Sequence, residues 1–172
     1  MMPGSRTALP WSERPPRGMK RDLGTALIGG GVGGLLDALY ATVLWGFIIG
    51  DNPAGVWQSV AVGLLGKASY AGGNTTALLG LALHFFIAFI MALVYVRAAR
   101  HLPVLVQRPI LMGVIYGVVL YLAMNFVVVP LSAIGFRAPS LAGAIRALIP
   151  HVIFVGPAIA LSAARRDSTP TS

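Results

Sequence analysis

LGTALIGGGVGGLLDALYATVLWGFII, residues 23–49, is the stretch that decides the fold. It carries a single charged residue, Asp37. An α-helix rises about 1.5 Å per residue, so about 20 apolar residues cross the roughly 30 Å hydrocarbon core of a bilayer. The stretch is also longer than the apolar region of a secretory signal, which has about 7–15 residues. It is therefore predicted to be a membrane-spanning helix.

Three further apolar blocks are long enough to cross a bilayer, and they cover residues 77–96, 109–129 and 141–163. Pro109 suits the first turn of a helix, and Ser140 suits the capping position before one. The chain is 56% hydrophobic and only 10% charged. In a soluble domain about a quarter of the residues are charged, so this composition is not that of a soluble domain. We therefore predict an all-α integral membrane protein with four transmembrane helices.

A shorter segment, residues 53–66, lies between the first and second spans. Asn52 and Pro53 are typical of a helix start, and Gly66 with the Gly72-Gly73 pair is typical of a helix end. A helix of this length rises roughly 21 Å, which is too short to cross a membrane. The segment is predicted to be a half-helix that is either interfacial or re-entrant.

The net charge of +8 comes from basic residues at the ends of the apolar blocks, and no basic stripe alternates with aromatic residues. Nucleic acid is therefore not predicted as a partner, whereas the lipid bilayer is. Because Lys and Arg favour the cytoplasmic side, both termini are predicted to be cytoplasmic. Residues 1–22 would then be a disordered basic tail and residues 164–172 a second tail. Ten of the 13 Lys and Arg residues lie on that side: Arg6, Arg14, Arg17, Lys20, Arg21, Arg97, Arg100, Arg108, Arg165 and Arg166.

Glycines recur at four-residue spacing in two of the predicted spans. Small residues at this spacing allow helix backbones to approach closely inside a membrane. We expect them to pack the helices of one chain together, and the alternative is a homodimer formed through one of these faces. The glycines concerned are Gly29, Gly30, Gly33, Gly34, Gly113 and Gly117.

Polar and ionisable side chains inside the predicted spans are candidate functional residues, because they are costly to place in lipid. Counting the helical rise from the ends of the apolar blocks places all of them either near the membrane midplane or in the outer half of the membrane. Gly30, Gly33 and Asp37 share one helical face, which should turn the acid toward neighbouring helices. We therefore predict one intramembrane polar cluster, made of Asp37, His84, Asn125, Arg146 and His151.

Several chemistries fit such a cluster. An Asp37–Arg146 pair would be structural, since a buried charge needs a partner. A proton or ion relay would use Asp37 and the histidines, because histidine titrates near neutral pH. Haem b held by His84 and His151 is an alternative cofactor hypothesis, with no other cofactor predicted. A metal site is not predicted, because no third ligand stands at helical spacing.

No catalytic motif is present in the sequence, so the protein is predicted not to be an enzyme. The leading prediction is an accessory or transport-related membrane protein that handles protons or a small polar solute. Two alternatives are a haem b-binding electron-transfer subunit and a structural subunit of a larger membrane complex. The chain has no cysteine, which excludes disulfides and thiolate sites.

Four stretches carry a resemblance to a known kind of protein. They are QSVAVGLLG at 58–66, LHFFIA at 83–88, YGVVLYLAMNFVVVPLS at 116–132 and HVIFVGPAIAL at 151–161. Over roughly residues 23–166 the chain resembles small multi-pass proteins of the bacterial inner membrane and, more distantly, the YagU-like family. The resemblance implies that location and the four-span topology. It implies no activity, because these families have none assigned.

Overall fold

The computed structural model describes residues 18–50, 52–136 and 138–167, without the side chains of residues 166 and 167. Helices account for nearly all of these residues, and none of the described ranges contains a strand. Four helices are long and apolar enough to cross a membrane: α1 (Met19–Ile48), α3 (Gly73–Ala98), α5 (Pro109–Leu131) and α6 (Leu141–Arg165). The predicted all-α membrane protein with four spans is confirmed.

The predicted half-helix is also present, as α2 (Pro53–Leu65). The Asn52 side chain caps it by accepting a hydrogen bond of 3.1 Å from the backbone N–H of Ala54. Gly66 ends it with a φ of +64°, a conformation that L-residues with side chains rarely adopt. A short 3-10 segment, Gly66–Ala71, then leads into α3. The remaining helix, α4 (Val104–Gln107), lies in the connection between α3 and α5.

The spans pack in the order α3, α1, α6, α5, so that α1 and α6 are central. The terminal end of the bundle carries Met19, Ala98 and Pro109, and the opposite end, which we call the α2 end, carries Ile48 and Gly73. At the terminal half, α3 and α5 meet: the Tyr95 and Tyr116 rings lie 4.8 Å apart, and the Tyr116 hydroxyl donates a 2.7 Å hydrogen bond to the Met91 carbonyl.

Near the α2 end, α2 crosses the bundle from α1 to the end of α5. It begins against Gly46 of α1 and crosses α3 at Gly80. At its far side, the Gly63 carbonyl accepts a 2.9 Å hydrogen bond from the backbone N–H of Ala133. The half-helix is therefore held by α1, by α3 and by the segment that follows α5, and it belongs to the bundle.

Large apolar side chains cover the outer faces of the spans. Phe47, Ile48 and Leu131 are 68%, 70% and 84% exposed. A soluble monomer rarely exposes apolar surface on this scale, because water contact with it is unfavourable. The same faces are suited to contact with lipid tails, which supports the membrane assignment.

The start of α1 differs from the prediction. Residues 19–22 were expected in a disordered tail, but the helix begins at Met19 and Asp22 is only 1% exposed. The Asp22 carboxylate lies 3.1 Å from Nε of Arg97 and also pairs with Arg100. A buried carboxylate needs cationic partners, and this one obtains them from the end of α3. At the other terminus, the helix continues to Asp167, past the predicted boundary at residue 163. The rest of both predicted tails lies outside the described residues.

The predicted packing glycines all contact other helices of the same chain. On α1, Gly29 and Gly33 face Ile159 and Val155 of α6, where an added Cβ would lie 3.2 Å from their Cα atoms. Gly30 and Gly34 face Ala88 and its neighbours on α3, and Gly113 and Gly117 of α5 face α6. These faces are occupied within one chain, so a homodimer would have to use another surface.

Adjacent glycines of α1 provide a matched test of this packing. A Cβ on Gly30 would lie 2.8 Å from the Ala88 carbonyl oxygen, whereas one on Gly31 would meet nothing within 4 Å. We expect Gly30→Ala to lower the free energy of unfolding by about 1–3 kcal/mol through overpacking. Gly31→Ala should leave it unchanged or raise it by up to about 1 kcal/mol, the gain in helix propensity. Thermal unfolding in detergent, followed by circular dichroism, measures both; equal melting temperatures would contradict the packing described.

Candidate functional site

A cavity of about 600 Å³ lies near the α2 end, between α1, α2 and α3. Its walls combine one acid, one histidine and three large aromatic side chains. It extends from the partly buried Asp37 and His84 to the exposed Ser59 and Tyr70. The lining residues are Asp37, Ala41, Trp45, Gly55, Val56, Trp57, Ser59, Val60, Tyr70 and His84.

Close packing positions α2 over this cavity. A Cβ on Gly80 of α3 would overlap the Trp57 carbonyl, so only glycine permits this crossing. The Gln58 amide donates a 3.0 Å hydrogen bond to the Gly73 carbonyl, and the Gln58 carbonyl accepts one of 2.5 Å from the buried Ser69 hydroxyl. With one face of α2 fixed to α3, the neighbouring residues Trp57 and Ser59 are directed to the cavity.

Asp37 and His84 form the polar centre of the cavity. Oδ2 of Asp37 lies 3.9 Å from Nδ1 of His84, and the two side chains are 18% and 16% exposed. Nε2 of His84 lies 2.9 Å from the Gly34 carbonyl oxygen. A carbonyl can only accept, so Nε2 must carry a proton and donate it. Neutral His84 therefore presents the bare Nδ1 to the Asp37 carboxyl group.

This geometry offers one proton two places, one on each residue of the pair. The proton can lie on Asp37, with neutral His84 opposite, or on Nδ1 of His84, with a carboxylate opposite. Both arrangements carry no net charge, which limits the cost of burial near the membrane interior. The separation of 3.9 Å exceeds a direct hydrogen bond, so transfer requires closer approach or a bridging water.

The part of α6 that begins at His151 packs against α1, the helix that carries the same carboxyl group. The Asp37 carboxyl interacts electrostatically with both His151 and His84. Nδ1 of His151 lies 2.7 Å from the Ala147 carbonyl oxygen, so this nitrogen carries the donated proton. The His151 ring also meets the Tyr121 ring edge-on, with centroids 6.3 Å apart. Three predicted residues, one from each of three spans, are thus brought together.

The aromatic rings surround the polar centre. The Trp57 and His84 ring centroids lie 5.4 Å apart in an edge-on arrangement. Trp45 lines the cavity from α1, and the Arg146 guanidinium lies 5.8 Å from its ring centroid. Tyr70 is 54% exposed and stands at the rim.

Two of the five predicted cluster residues do not join the centre. Arg146 contacts Trp45 instead of Asp37, because its position two turns before the middle of α6 places its guanidinium beside the cavity rim. The Asn125 amide donates a 2.9 Å hydrogen bond to the Tyr121 carbonyl, one turn earlier on its own helix. The prediction of a single five-residue cluster is therefore corrected to Asp37, His84 and His151. The structural Asp37–Arg146 pair is absent from the described contacts.

Wide π-helical turns occur in three spans, and they were not among the expected features. They cover Thr42–Ile48, Met124–Val128 and His151–Val155. Such turns are rare and are frequent at functional sites. Pro130 and Pro157 follow the last two, and a proline clashes with the carbonyl four residues before it. That carbonyl lies inside the π turn in both cases, so the prolines were a usable sequence signal.

The haem b hypothesis does not fit this geometry. Ligation by His84 requires a free ring nitrogen, but Nε2 is engaged by the Gly34 carbonyl and Nδ1 faces Asp37. Within the described ranges, no group of three or more His, Cys, Asp or Glu side chains is placed to hold a metal ion.

Comparison with models of protein families, with curated proteins and with solved structures finds no match to this chain. The site is therefore interpreted from its own residues.

The two histidines should adopt opposite neutral tautomers, which provides an internal control. We expect protonated Nε2 in His84, donated to Gly34, and protonated Nδ1 in His151, donated to Ala147. ¹⁵N NMR of histidine-labelled protein at a pH where both rings are neutral distinguishes the two forms. His84→Gln and His151→Gln assign the signals. Identical tautomers in the two rings would contradict the arrangement.

Proposed function

We propose that this protein is a small transport-related or accessory protein of the bacterial inner membrane, and that it binds protons or a small polar solute at Asp37 and His84. The observation that carries the proposal is the pairing of Asp37 and His84, 3.9 Å apart, on the wall of an open cavity. The residues act by binding and not by catalysis. The likeness to small inner-membrane and YagU-like proteins is part of the same proposal and supplies only the location.

The two membrane-embedded acids of the described ranges make an instructive contrast. Asp22 is fully buried against two arginines, Arg97 and Arg100. Arginine stays charged at all physiological pH values, so that cluster holds the ends of α1 and α3 together permanently. Asp37 instead has two histidines as its partners, and histidine, unlike arginine, can be neutral or charged. A purely structural acid would have no need of titratable partners or of a cavity.

The orientation of the cavity follows from charge. Lys and Arg concentrate in cytoplasmic segments of membrane proteins. The terminal end of the bundle carries Lys20, Arg21, Arg97, Arg100 and Arg108. This distribution supports cytoplasmic termini and an α2 end directed away from the cytoplasm. The site would then exchange protons or solute with the outer side.

Infrared difference spectroscopy between low and high pH tests the proton-binding pair. We expect a protonated-carboxyl C=O band that disappears in Asp37→Asn and shifts in His84→Gln, because His84 faces the carboxyl group. Asn125→Ala is the matched control: it removes a polar membrane residue that bonds only within its own helix and should leave the band unchanged. A wild-type spectrum without an Asp37 band at any pH would refute the proposal.

Cysteine labelling tests the orientation. Because the sequence contains no cysteine, each introduced cysteine is the only thiol that can react. Ala71→Cys, at the α2 end, should react with a membrane-impermeant thiol reagent added to intact cells. Leu102→Cys, in the connection at the terminal end, should react only after the membrane is permeabilised. Both residues are exposed, so accessibility within the protein does not bias the comparison. The reverse pattern would invert the topology.

A further inference from the structure

The cavity changes charge when the shared proton leaves. With the proton, Asp37 and His84 together are neutral; without it, a carboxylate faces a neutral imidazole across 3.9 Å. A buried unpaired carboxylate is costly and must regain a positive partner. Arg146 does not supply it, since its guanidinium lies over Trp45. The deprotonated cavity is therefore an anionic site open to a cation.

The surrounding rings select the kind of cation. Trp45, Trp57 and Tyr70 line the cavity from α1, α2 and the segment before α3. Because the Arg146 guanidinium already lies over the Trp45 ring, a bound cation would meet chiefly Trp57 and Tyr70. The faces of indole and phenol rings attract cations, and several rings around one acid are the usual device for binding alkylammonium groups. A small metal ion would prefer several oxygen or nitrogen ligands, which the described ranges do not gather here.

We infer that the cavity formed by Asp37, Trp45, Trp57, Tyr70 and His84 binds a small organic monocation of the alkylammonium class in exchange for the shared proton. This inference rests on the proposed proton-binding function and names its solute. One proton leaves the pair for water as one cation enters, so the charge of the site is unchanged. A volume of about 600 Å³ is that of a small-molecule site.

Other titratable or charged groups face this region from the packed elements. His151 of α6 interacts electrostatically with Asp37, and a positive charge on it would oppose a cation. Arg146 of the same helix contributes a fixed positive charge near the rim. A positive charge on His151 or Arg146 therefore opposes cation binding at Asp37, in the same direction as protonation of the carboxyl group. Tyr40 of α1 donates a hydrogen bond to the Arg146 carbonyl, Tyr121 of α5 meets the His151 ring, and Tyr70 lines the cavity. Lys67 belongs to the same short segment as Tyr70.

Choline is a suitable probe, because it is a small alkylammonium ion for which a matched control exists. The control is its neutral isostere, which has tert-butyl in place of trimethylammonium and the same shape without the charge. Purified protein in detergent is titrated with each compound by isothermal calorimetry, at several pH values. We expect saturable choline binding that strengthens with pH by up to about tenfold per pH unit where the pair is protonated. The isostere should not bind measurably.

Three variants locate the site. Asp37→Asn should abolish choline binding, and Asp37→Glu, which restores the charge, should recover part of it. Trp57→Leu should weaken binding by roughly tenfold through loss of a cation–π contact. Asn125→Ala should bind as the wild type does. Circular dichroism and thermal unfolding confirm that each variant is folded.

Proton release provides the second readout. A pH-indicator dye in weakly buffered solution should report about one proton released per choline bound near the pH at which the pair titrates. Equal binding of the isostere, or undiminished choline binding by Asp37→Asn, would overturn the inference. If the infrared band of Asp37 titrates but choline neither binds nor releases a proton, the inference fails and the proton-binding proposal stands. If that band is absent, both fail.

Discussion

The fold depends on backbone-to-backbone packing along the glycine-rich half of α1. Lipid tails are as apolar as leucine, so burying apolar side chains provides little driving force for membrane helices to associate. Close van der Waals contact between the helices must provide it instead. α1 achieves this on two faces: Gly29 and Gly33 meet α6, and Gly30 and Gly34 meet α3. Asp37 follows Gly33 and Gly34 by about one turn, at the point where these two faces meet. The packing that builds the bundle therefore also brings the acid close to His84 and within the electrostatic influence of His151.

Much of the fold could be predicted because it depends on local properties of the chain. Span length, the Asn52-Pro53 helix start and the spacing of small residues identify four spans and a half-helix without knowledge of their neighbours. The start of α1 was missed because it depends on a contact distant in sequence. Asp22 resembles a tail residue until the end of α3 brings Arg97 and Arg100 to it. Membrane depth likewise predicted that polar residues lie at similar levels, but it does not determine their angular positions. That is why Asp37, His84 and His151 converge whereas Asn125 and Arg146 do not.

The hydrogen bonds of the histidines give the site its chemistry more directly than proximity does. By donating Nε2–H to the Gly34 carbonyl, His84 is tied to the α1 backbone one turn before Asp37. The same bond determines which nitrogen of His84 faces Asp37. The position of the proton site therefore depends on how α1 and α3 pack together. A change in the separation of α1 and α3 would alter both. His151 is instead hydrogen-bonded to its own helix through the Ala147 carbonyl, which leaves Nε2 as the unprotonated nitrogen of the neutral ring.

The half-length of α2 and the wide helical turns serve the same physical requirement, which is room for polar groups inside a membrane. A full span beside α3 would fill the space next to His84 with apolar side chains, whereas α2 ends at Gly66 and contributes Trp57 and Ser59 to an open wall. A π turn leaves backbone carbonyls less regularly paired, which is tolerated at membrane depth only beside protein or a polar cavity. The turn that contains His151 faces α1 and α5, and the one that ends α1 faces α2. These two turns thus lie against other protein elements, and a cavity lined by one acid and three aromatic rings is the opening that this arrangement leaves.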